Sequence, residues 1–158
     1  MTKKTPSSTI LVPVDFSPHS EAALRFAAEL ANRLTAPLTV LHVIHDPAES
    51  PGYYSQKDPK YPRRIPDIAA DMMAEFIKKT TEANPELDNL LHAEIKLITG
   101  LPVSRILEIA EQCNPQMVVM GSKGRTGLAH LLLGSKAEQV VRLCPSPVTI
   151  IKIPGDKG

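Results

Sequence analysis

The sequence predicts a single α/β domain in which five parallel strands form one open sheet with helices on both faces. Short apolar runs alternate along the chain with segments whose apolar residues recur at threes and fours, the patterns of buried strands and amphipathic helices. This alternation is typical of right-handed strand-helix-strand units. Because 158 residues suffice for one core but not for two ordinary domains, we expect one domain over residues 1–158.

The first predicted strand, residues 10–14, passes directly into a helix. The turn at 15–18 supplies Ser17 as an N-cap and Pro18 as the first helical residue. The helix should end before Pro37, since the residue before a proline disfavours helical geometry. Its predicted buried face is formed by Ala23, Phe26, Ala27, Leu30, Ala31 and Leu34.

Four more strands and three more helices follow. Strand 38–44 is apolar almost throughout, as in a strand covered on both faces, whereas 92–98 alternates in polarity and should lie at or near a sheet edge. The other predicted elements are a helix over 67–83 with Ile68, Met72, Phe76 and Thr80 on one face, a helix with Val103, Ile106, Leu107 and Ala110 on its apolar stripe, a strand over 117–120, a helix over 135–143 and a strand over 148–153.

Residues 46–66 form a long loop with an unusual composition. It holds five prolines, all three tyrosines of the chain and four basic residues, Lys57, Lys60, Arg63 and Arg64. Loops of this length tend to be lids, binding loops or disordered segments. The basic residues could close over phosphates, but we expect them to be solvated. The tyrosines either pack the loop down or form an interface, and the sequence does not choose between these roles.

The strand order follows from where unusual residues occur. Ligands of open parallel sheets bind beyond the carboxyl ends of the strands, at the point where strand order reverses. The first strand ends at Asp15 and the fourth at Gly121, which suggests that these strands are neighbours. The predicted order is therefore 3-2-1-4-5, with both residues at one crevice.

A glycine-rich stretch follows the fourth strand. Gly121, Gly124 and Gly127 come close together, and Gly134 precedes Ser135 at the start of the next helix. Glycines let backbone amides approach phosphate oxygens, and a helix N-terminus adds its dipole. The basic residues Lys123, Arg125 and Lys136 could add charge. A plain glycine-rich turn is the alternative, and neither the P-loop nor the dinucleotide fingerprint is present.

Three polar residues have a functional and a structural interpretation. Asp15 would bind a ribose hydroxyl or a metal-bound phosphate, or would stabilise the turn before the first helix. Ser135 would donate to phosphate, act as an N-cap, or do both. His42, within an apolar strand and without a sequence partner to orient it, is interpreted as a hydrogen-bonded core residue and not as a catalyst.

Composition excludes several function classes. The 18 basic and 17 acidic residues give no field strong enough to capture nucleic acid. The two cysteines, Cys113 and Cys144, lack metal-ligand or C-x-x-C spacing and should be reduced, buried packing residues. The first apolar run is too short for a signal or membrane segment. We expect a cytoplasmic protein without membrane association and without a resident metal site.

The motif Gly121-x2-Gly124-x9-Gly134-Ser135 resembles that of the ATP-binding branch of the universal stress protein family. The segments at 12–17, 41–44 and 144–151 carry the same resemblance, which extends from Thr9 to Lys152. Gln116 departs from it, since the family often has an acidic residue there, and loop 46–66 carries no recognisable family motif.

The resemblance implies an adenine nucleotide alpha hydrolase-like fold and a site for ATP, or for ADP or AMP, with Mg²⁺ or Mn²⁺ as a possible companion. Asp15 would hold the ribose, the Val43 backbone would meet the adenine, and Pro13 and Met120 would line its pocket. The ribose and phosphates would be surrounded by Gly121, Gly124, Gly134, Ser135 and Lys136.

Three function hypotheses follow. The first is a nucleotide-binding regulatory or stress protein whose ATP occupancy is read by another protein. The second is a slow metal-dependent enzyme that hydrolyses ATP or transfers part of it, with Asp15 and the metal ion polarising phosphate. The third is a nucleotide-independent interaction module. In all three we expect a homodimer formed through the last strand, residues 148–153, because its apolar residues would be hazardous on a bare sheet edge.

Overall fold

A computed structural model of the chain describes residues 8–45, 52–54, 60, 63–125 and 132–154. Its elements alternate between strand and helix as the sequence predicts, with one short 3₁₀ helix that the sequence patterns did not indicate. The elements are β1 (Ile10–Pro13), α1 (Pro18–Leu34), β2 (Leu38–Ile44), α2 (Ile65–Ala83), the 3₁₀ helix (Asp88–His92), β3 (Glu94–Thr99), α3 (Pro102–Cys113), β4 (Met117–Gly121), α4 (Ser135–Leu143) and β5 (Val148–Ile151).

The five strands form one parallel sheet in the order β3-β2-β1-β4-β5, which confirms the predicted order. β1 lies at the centre, with Ile10 beside Leu38 of β2 and Met117 of β4. β3 lies at one edge, as its alternating pattern predicted, and β5 at the other. The strand order reverses between β1 and β4, so a crevice opens beyond the ends of these two strands.

Helices cover both faces of the sheet. On one face, α1 and α2 pack against Ile10 and Val12 of β1 and Val14 just after it. On the other, α3 and α4 pack against Leu11 of β1 and Val118 of β4, among others. A strand with helices on both sides buries alternate side chains into two separate cores, which explains why β1 and β2 are apolar almost throughout.

Local chemistry fixes where the helices begin and end. The Ser17 hydroxyl accepts a hydrogen bond from the Ser20 amide at 3.2 Å and caps α1, as predicted. Thr35 ends that helix with a left-handed backbone, φ 51°, and Asn114 ends α3 in the same way, φ 45°. Gln116, the departure from the family pattern, donates its amide N–H to the Thr9 carbonyl at 3.0 Å and its side chain to the Ser8 carbonyl, which joins the starts of β4 and β1.

The predicted buried face of α1 is partly wrong. Phe26 is 41% exposed and Leu34 is 53% exposed. Small side chains let the helix lie close to the sheet, and the buried stripe follows them instead of the largest apolar residues. This stripe consists of Ser20, Ala23, Leu24, Ala27, Ala28 and Ala31.

The two cysteines are also less buried than predicted. Cys113 and Cys144 are not joined in a disulfide, and both are only half-buried at the margin of the core between the sheet and helices α3 and α4. Each lies at or next to the end of a helix, where coverage by neighbouring side chains is incomplete.

Candidate functional site

A cleft of about 220 Å³ lies at the carboxyl ends of β1 and β4, where the strand order reverses. Its walls come from the ends of three neighbouring strands, the residues that follow β4, and the first turns of α3 and α4. The structure brings all ten predicted site residues together at this cleft: Pro13, Asp15, Val43, Met120, Gly121, Gly124, Arg125, Gly134, Ser135 and Lys136.

One wall of the cleft is apolar. Pro13, Val43 and Met120 stand at the ends of β1, β2 and β4, and the side chains of Leu41 and Ile106 complete the wall. Leu41 is fully buried, and Val43 and Met120 are each 8% exposed, so the wall is continuous with the core below it. A surface of this kind can take the flat face of a ring.

Asp15 follows β1 and is held in a defined orientation. Its Oδ1 accepts from the Ser17 amide at 3.1 Å, and its Oδ2 accepts from the Arg125 amide at 2.9 Å. The next residue, Phe16, has φ 65°, an uncommon backbone for a bulky residue and one that is often found at functional sites. Asp15 therefore does stabilise the turn before α1. Because a carboxylate has about four acceptor positions, it keeps capacity for hydroxyl donors in the cleft.

Arg125 contributes both its backbone and its side chain. Its guanidinium carbon lies 3.5 Å from the centre of the Tyr53 ring, and its Nη2 donates to the His45 carbonyl at 3.4 Å. Its Nη1 is buried and has no hydrogen-bond partner among the described residues. A buried charged N–H without an acceptor is costly, so this edge of the guanidinium is suited to an incoming anion.

Two of the three glycines of the motif, Gly121 and Gly124, are needed for packing within the protein. A Cβ on Gly121 would lie 2.7 Å from the backbone carbon of His19 in α1, and one on Gly124 would lie 2.7 Å from Oδ2 of Asp15. Gly134 is less constrained, since the nearest atom, the carbonyl oxygen of Ser122, would be 3.3 Å away. None of the three has a left-handed backbone. From the sequence, we expected these glycines to let backbone amides approach phosphate oxygens. In the structure, Gly121 and Gly124 also lack a side chain because neighbouring atoms leave no room for one.

The N-terminus of α4 opens into the cleft. Gly134 is the N-cap residue and Ser135 the first residue of the helix, so the interpretation of Ser135 as the N-cap is wrong. No side chain among the described residues caps this end, and the first helical hydrogen bond runs from the Glu138 amide to the Gly134 carbonyl at 2.9 Å. The amides of the first turn therefore lack helical partners, and Ser135 and Lys136 line the cleft.

Backbone bonds hold the two ends of the glycine-rich segment together. The Gly134 amide donates to the Ser122 carbonyl at 2.7 Å, and the Ser122 amide donates to Ile151 of β5 at 2.9 Å. Lys123 also lines the cleft and is 7% exposed. Gly127, the remaining glycine of the stretch, lies outside the described residues.

His42 lies at the floor of the cleft and is 1% exposed. Its Nδ1 donates to the Val14 carbonyl at 2.8 Å, which leaves Nε2 as the acceptor of the Tyr54 hydroxyl at 2.8 Å. Burial lowers the pKa of His42, and the Arg125 charge adds to this, while the bond to Val14 and the Asp15 charge oppose it. The interpretation of His42 as a hydrogen-bonded core residue is confirmed.

The sequence did not predict that Tyr53 and Tyr54 would contact residues that line the cleft. Tyr53 donates its hydroxyl to the Asp15 carbonyl at 2.8 Å, and Tyr54, 4% exposed, bonds to His42 and accepts from the His45 amide at 3.3 Å. Burial raises the pKa of Tyr53 despite the opposing Arg125 charge, so its hydroxyl is a neutral donor. The only available signal was the pair of adjacent tyrosines in a proline-rich loop.

The basic residues of the loop stay apart from the cleft where they are described. Arg63 pairs with Asp71 at 2.6 Å and Arg64 with Asp67 at 3.2 Å, and both pairs are exposed on α2. Lys60 is exposed, and Lys57 and Tyr61 lie outside the described residues. Solvation of Arg63 and Arg64, the expected outcome, is confirmed.

No group of three or more His, Cys, Asp or Glu side chains among the described residues is arranged to hold a metal ion. Among the helices described, none is long and apolar enough to cross a membrane.

The fold and the cleft define a parallel α/β protein with a ligand-sized site at its topological switch point. The family model described as the universal stress protein family matches residues 7–152. The chain therefore belongs to the universal stress protein family.

Individual relatives agree with this assignment. The universal stress protein MJ0531 of Methanocaldococcus jannaschii is 30% identical over 145 residues, covering 92% of this chain and 82% of the relative. Universal stress protein Rv2005c of Mycobacterium tuberculosis is 33% identical over 156 residues, and this chain spans only 50% of its length.

Solved structures show the same fold. The structure of MJ0577, from Methanocaldococcus jannaschii, has a TM-score of 0.65 and 27% identity and covers 94% of this chain and 97% of its own. A universal stress protein in complex with cAMP has a TM-score of 0.62, and one from Archaeoglobus fulgidus in complex with dAMP has 0.59. They cover 94% of this chain and 98% and 100% of their own. Both are 20% identical to this chain, so the likeness concerns the fold.

Proposed function

We propose that this protein binds an adenine nucleotide, ATP in particular, in the cleft between β1 and β4, and that occupancy of the cleft is a regulatory signal. The observation that carries the proposal is the combination of surfaces that line one cleft. It has an apolar wall at Val43 and Met120, the Asp15 carboxylate, and cationic and amide donors at Arg125 and the α4 N-terminus. A nucleotide has a matching part for each of these surfaces: a flat base, a ribose and phosphates.

Each part of the nucleotide has a physical counterpart in the cleft. The adenine ring would lie against Pro13, Val43 and Met120, where burial of ring surface contributes roughly 25 cal/mol per Å². The ribose hydroxyls would donate to the remaining acceptor positions of Asp15. The phosphates would lie at the α4 N-terminus, where amides without helical partners and the helix dipole favour negative charge.

A divalent cation would enter with the phosphates. Asp15 is the only carboxylate that lines the described cleft, and both of its oxygens already accept amide hydrogen bonds. Mg²⁺ is commonly held by one or two carboxylates together with substrate phosphates, so this donor set fits a nucleotide-bound Mg²⁺ or Mn²⁺ better than a resident metal.

Binding is favoured over turnover. His42 is the one histidine that lines the described cleft, and both of its ring nitrogens are engaged by Val14 and Tyr54. A general base needs a free position within reach of the attacking water, which this histidine lacks. Slow ATP hydrolysis assisted by Asp15 and a metal ion remains the second candidate, and no ATP turnover with any metal would remove it.

The helix N-terminus offers a direct test. In Ser135→Pro, the ring removes one backbone N–H at the first helical position while the helix itself tolerates proline there. Gly134 has φ −66° and ψ 153°, which a following proline accepts. Ser135→Ala keeps the amide and is the matched control.

We expect Ser135→Pro to weaken ATP binding about tenfold, the value of one charge-assisted hydrogen bond, with adenosine affinity within about twofold of wild type. Ser135→Ala should lose less ATP affinity than Ser135→Pro. Calorimetric titration measures the affinities for ATP and for adenosine. Equal loss for ATP and adenosine would contradict placement of the phosphates at α4, and failure of the wild type to bind either would reject the proposed function.

We also propose a homodimer through the last strand. β5 is an outer strand of the sheet, and all four of its residues are half-exposed. The carbonyls of Pro147 and Ile151 accept from β4, so by the period of two Ile150 directs its amide away from the sheet. Ile150→Pro should therefore block strand pairing while sparing the β4 ladder, with Ile150→Val as control. Light scattering should report a wild-type dimer and an Ile150→Pro monomer; a wild-type monomer at micromolar concentration would refute the interface.

A further inference from the structure

Tyr53 connects two functional groups of the cleft without lining it. The face of its ring lies 3.5 Å from the Arg125 guanidinium carbon, and its hydroxyl donates to the Asp15 carbonyl at 2.8 Å. One side chain from loop 46–66 therefore contacts both the residue assigned to the ribose and a cation assigned to the phosphates. This contact is not part of the glycine motif.

Tyr53 is itself held in place. Its ring meets the Tyr54 ring edge to face, with centres 5.1 Å apart, and Tyr54 is anchored in the core by the hydrogen bond between its hydroxyl and His42. The two adjacent side chains therefore have different roles: Tyr54 anchors the turn, and Tyr53 places its ring against Arg125. A planar guanidinium stacks well on an aromatic face, and the stack limits the orientations that the long side chain can adopt.

The stack determines which edge of Arg125 is available. The ring covers one face, and Nη2 reaches the His45 carbonyl at 3.4 Å. Nη1 is buried, has no hydrogen-bond partner in the described part of the chain, and belongs to a residue that lines the cleft. An oriented, buried and unsatisfied cationic donor recognises an anionic oxygen, and phosphate is the anion of the ligand proposed above.

We propose that Tyr53 is a positioning residue that gives the cleft its preference for phosphorylated over unphosphorylated adenine ligands, by holding Arg125 so that Nη1 meets a phosphate oxygen. The inference rests on the proposed function and names the residue that sets its phosphate selectivity. Tyr53 acts through Arg125 and needs no contact of its own with the nucleotide. A freely moving Arg125 would supply the same charge with a less defined direction.

The test is the ratio of ATP affinity to adenosine affinity, measured by calorimetry on the full chain. Arg125→Met should lower ATP affinity about ten- to a hundredfold and leave adenosine within about twofold. Tyr53→Leu should lower the ratio about three- to tenfold, the range for loss of a partly desolvated cation–π contact. Tyr53→Phe keeps the ring and should retain most of the ratio.

Two controls separate positioning from general damage. Tyr54→Phe removes the hydrogen bond to His42 but keeps the ring that contacts Tyr53, so it should reduce stability and lower the ratio less than Tyr53→Leu does. In the double variant Tyr53→Leu/Arg125→Met, the ratio should equal that of Arg125→Met alone, because Tyr53 has no effect without the guanidinium.

The outcomes are distinguishable. A wild type that binds neither ligand rejects the proposed function itself. A wild type that prefers ATP, with the ratio unchanged in Tyr53→Leu or lowered independently in the double variant, overturns the role of Tyr53 and leaves nucleotide binding intact. An unchanged ratio in Arg125→Met also overturns it, because the guanidinium then contributes nothing to phosphate binding.

Discussion

Gly124→Ala tests whether this glycine exists to make room for Asp15. The new Cβ would lie 2.7 Å from Oδ2, and ordinary contact begins at 3.4 Å, so the carboxylate must move by about 0.7 Å. The bond from the Arg125 amide to Oδ2, now 2.9 Å, would lengthen to about 3.6 Å if the shift follows its direction, which is beyond hydrogen-bonding range.

The expected cost follows from two opposing terms. Loss of a hydrogen bond to a charged group costs about 1.5–3 kcal/mol, and the smaller entropy of the unfolded alanine chain returns about 0.4–1 kcal/mol. The free energy of unfolding should therefore fall by about 1–2 kcal/mol. For a chain of this size the Tm should fall by about 2–8 °C.

A double-mutant cycle with Asp15→Ala isolates the contact. Without the carboxylate only the entropy term remains, and Gly124→Ala should be neutral or slightly stabilising, so urea unfolding should give a coupling of about 1.5–3 kcal/mol, the value of the lost hydrogen bond. Gly134→Ala is the comparison variant: its Cβ would lie 3.3 Å from the Ser122 carbonyl oxygen and alanine is a poorer N-cap than glycine, so any cost there should be the same with and without Asp15. An equal cost of Gly124→Ala with and without Asp15 would refute the reasoning.

Three further predictions concern the same region. Gly121→Ala should destabilise the fold by about 3 kcal/mol, because its Cβ would meet the backbone of His19 at 2.7 Å, and a loss below about 1 kcal/mol in urea unfolding would contradict the close approach. Tyr54→Phe should cost about 1–3 kcal/mol, because it leaves Nε2 of His42 buried without its donor, and a loss within about 0.5 kcal/mol would show that this bond contributes little. The pKa of His42 is lowered in the folded state. As the pH falls through 6.5, His42 should therefore take up a proton in the unfolded state before it does so in the folded state. Stability present above pH 6.5 should then be lost with a slope of at most about 1.4 kcal/mol per pH unit until the folded pKa is passed. When the free energy of unfolding is measured across this pH range, the slope should be absent in His42→Gln. An unchanged slope in that variant would exclude His42 as its source.

The fold could be predicted from the sequence because its signals are local. Apolar runs, helical spacing and the N-cap at Ser17 are all read within a few residues, and the strand order followed from placing Asp15 and Gly121 at one crevice. Packing decided the rest. The buried stripe of α1 runs through alanines, and Phe26 lies outside it, because close approach of helix and sheet selects small side chains.

The sequence predicted which motif residues line the cleft, but not the contacts that hold them in place. All ten line one cleft, and their roles in binding a nucleotide stay predictions. The contacts of Tyr53 with Arg125 and of Tyr54 with His42 bring together residues far apart in the chain, and no short pattern encodes them. The sequence likewise could not show why residue 124 is glycine, because the reason is the position of the Asp15 side chain, 109 residues earlier.

Titration of nucleotide-stripped protein with ATP and Mg²⁺ shows whether the cleft binds an adenine nucleotide, with AMP and adenosine titrated in parallel and Gly124→Val as the variant whose side chain would displace Asp15. We expect one ATP per chain in the wild type and loss of that binding in a Gly124→Val protein that circular dichroism shows to be folded. A folded wild type that binds none of the three ligands would contradict this expectation.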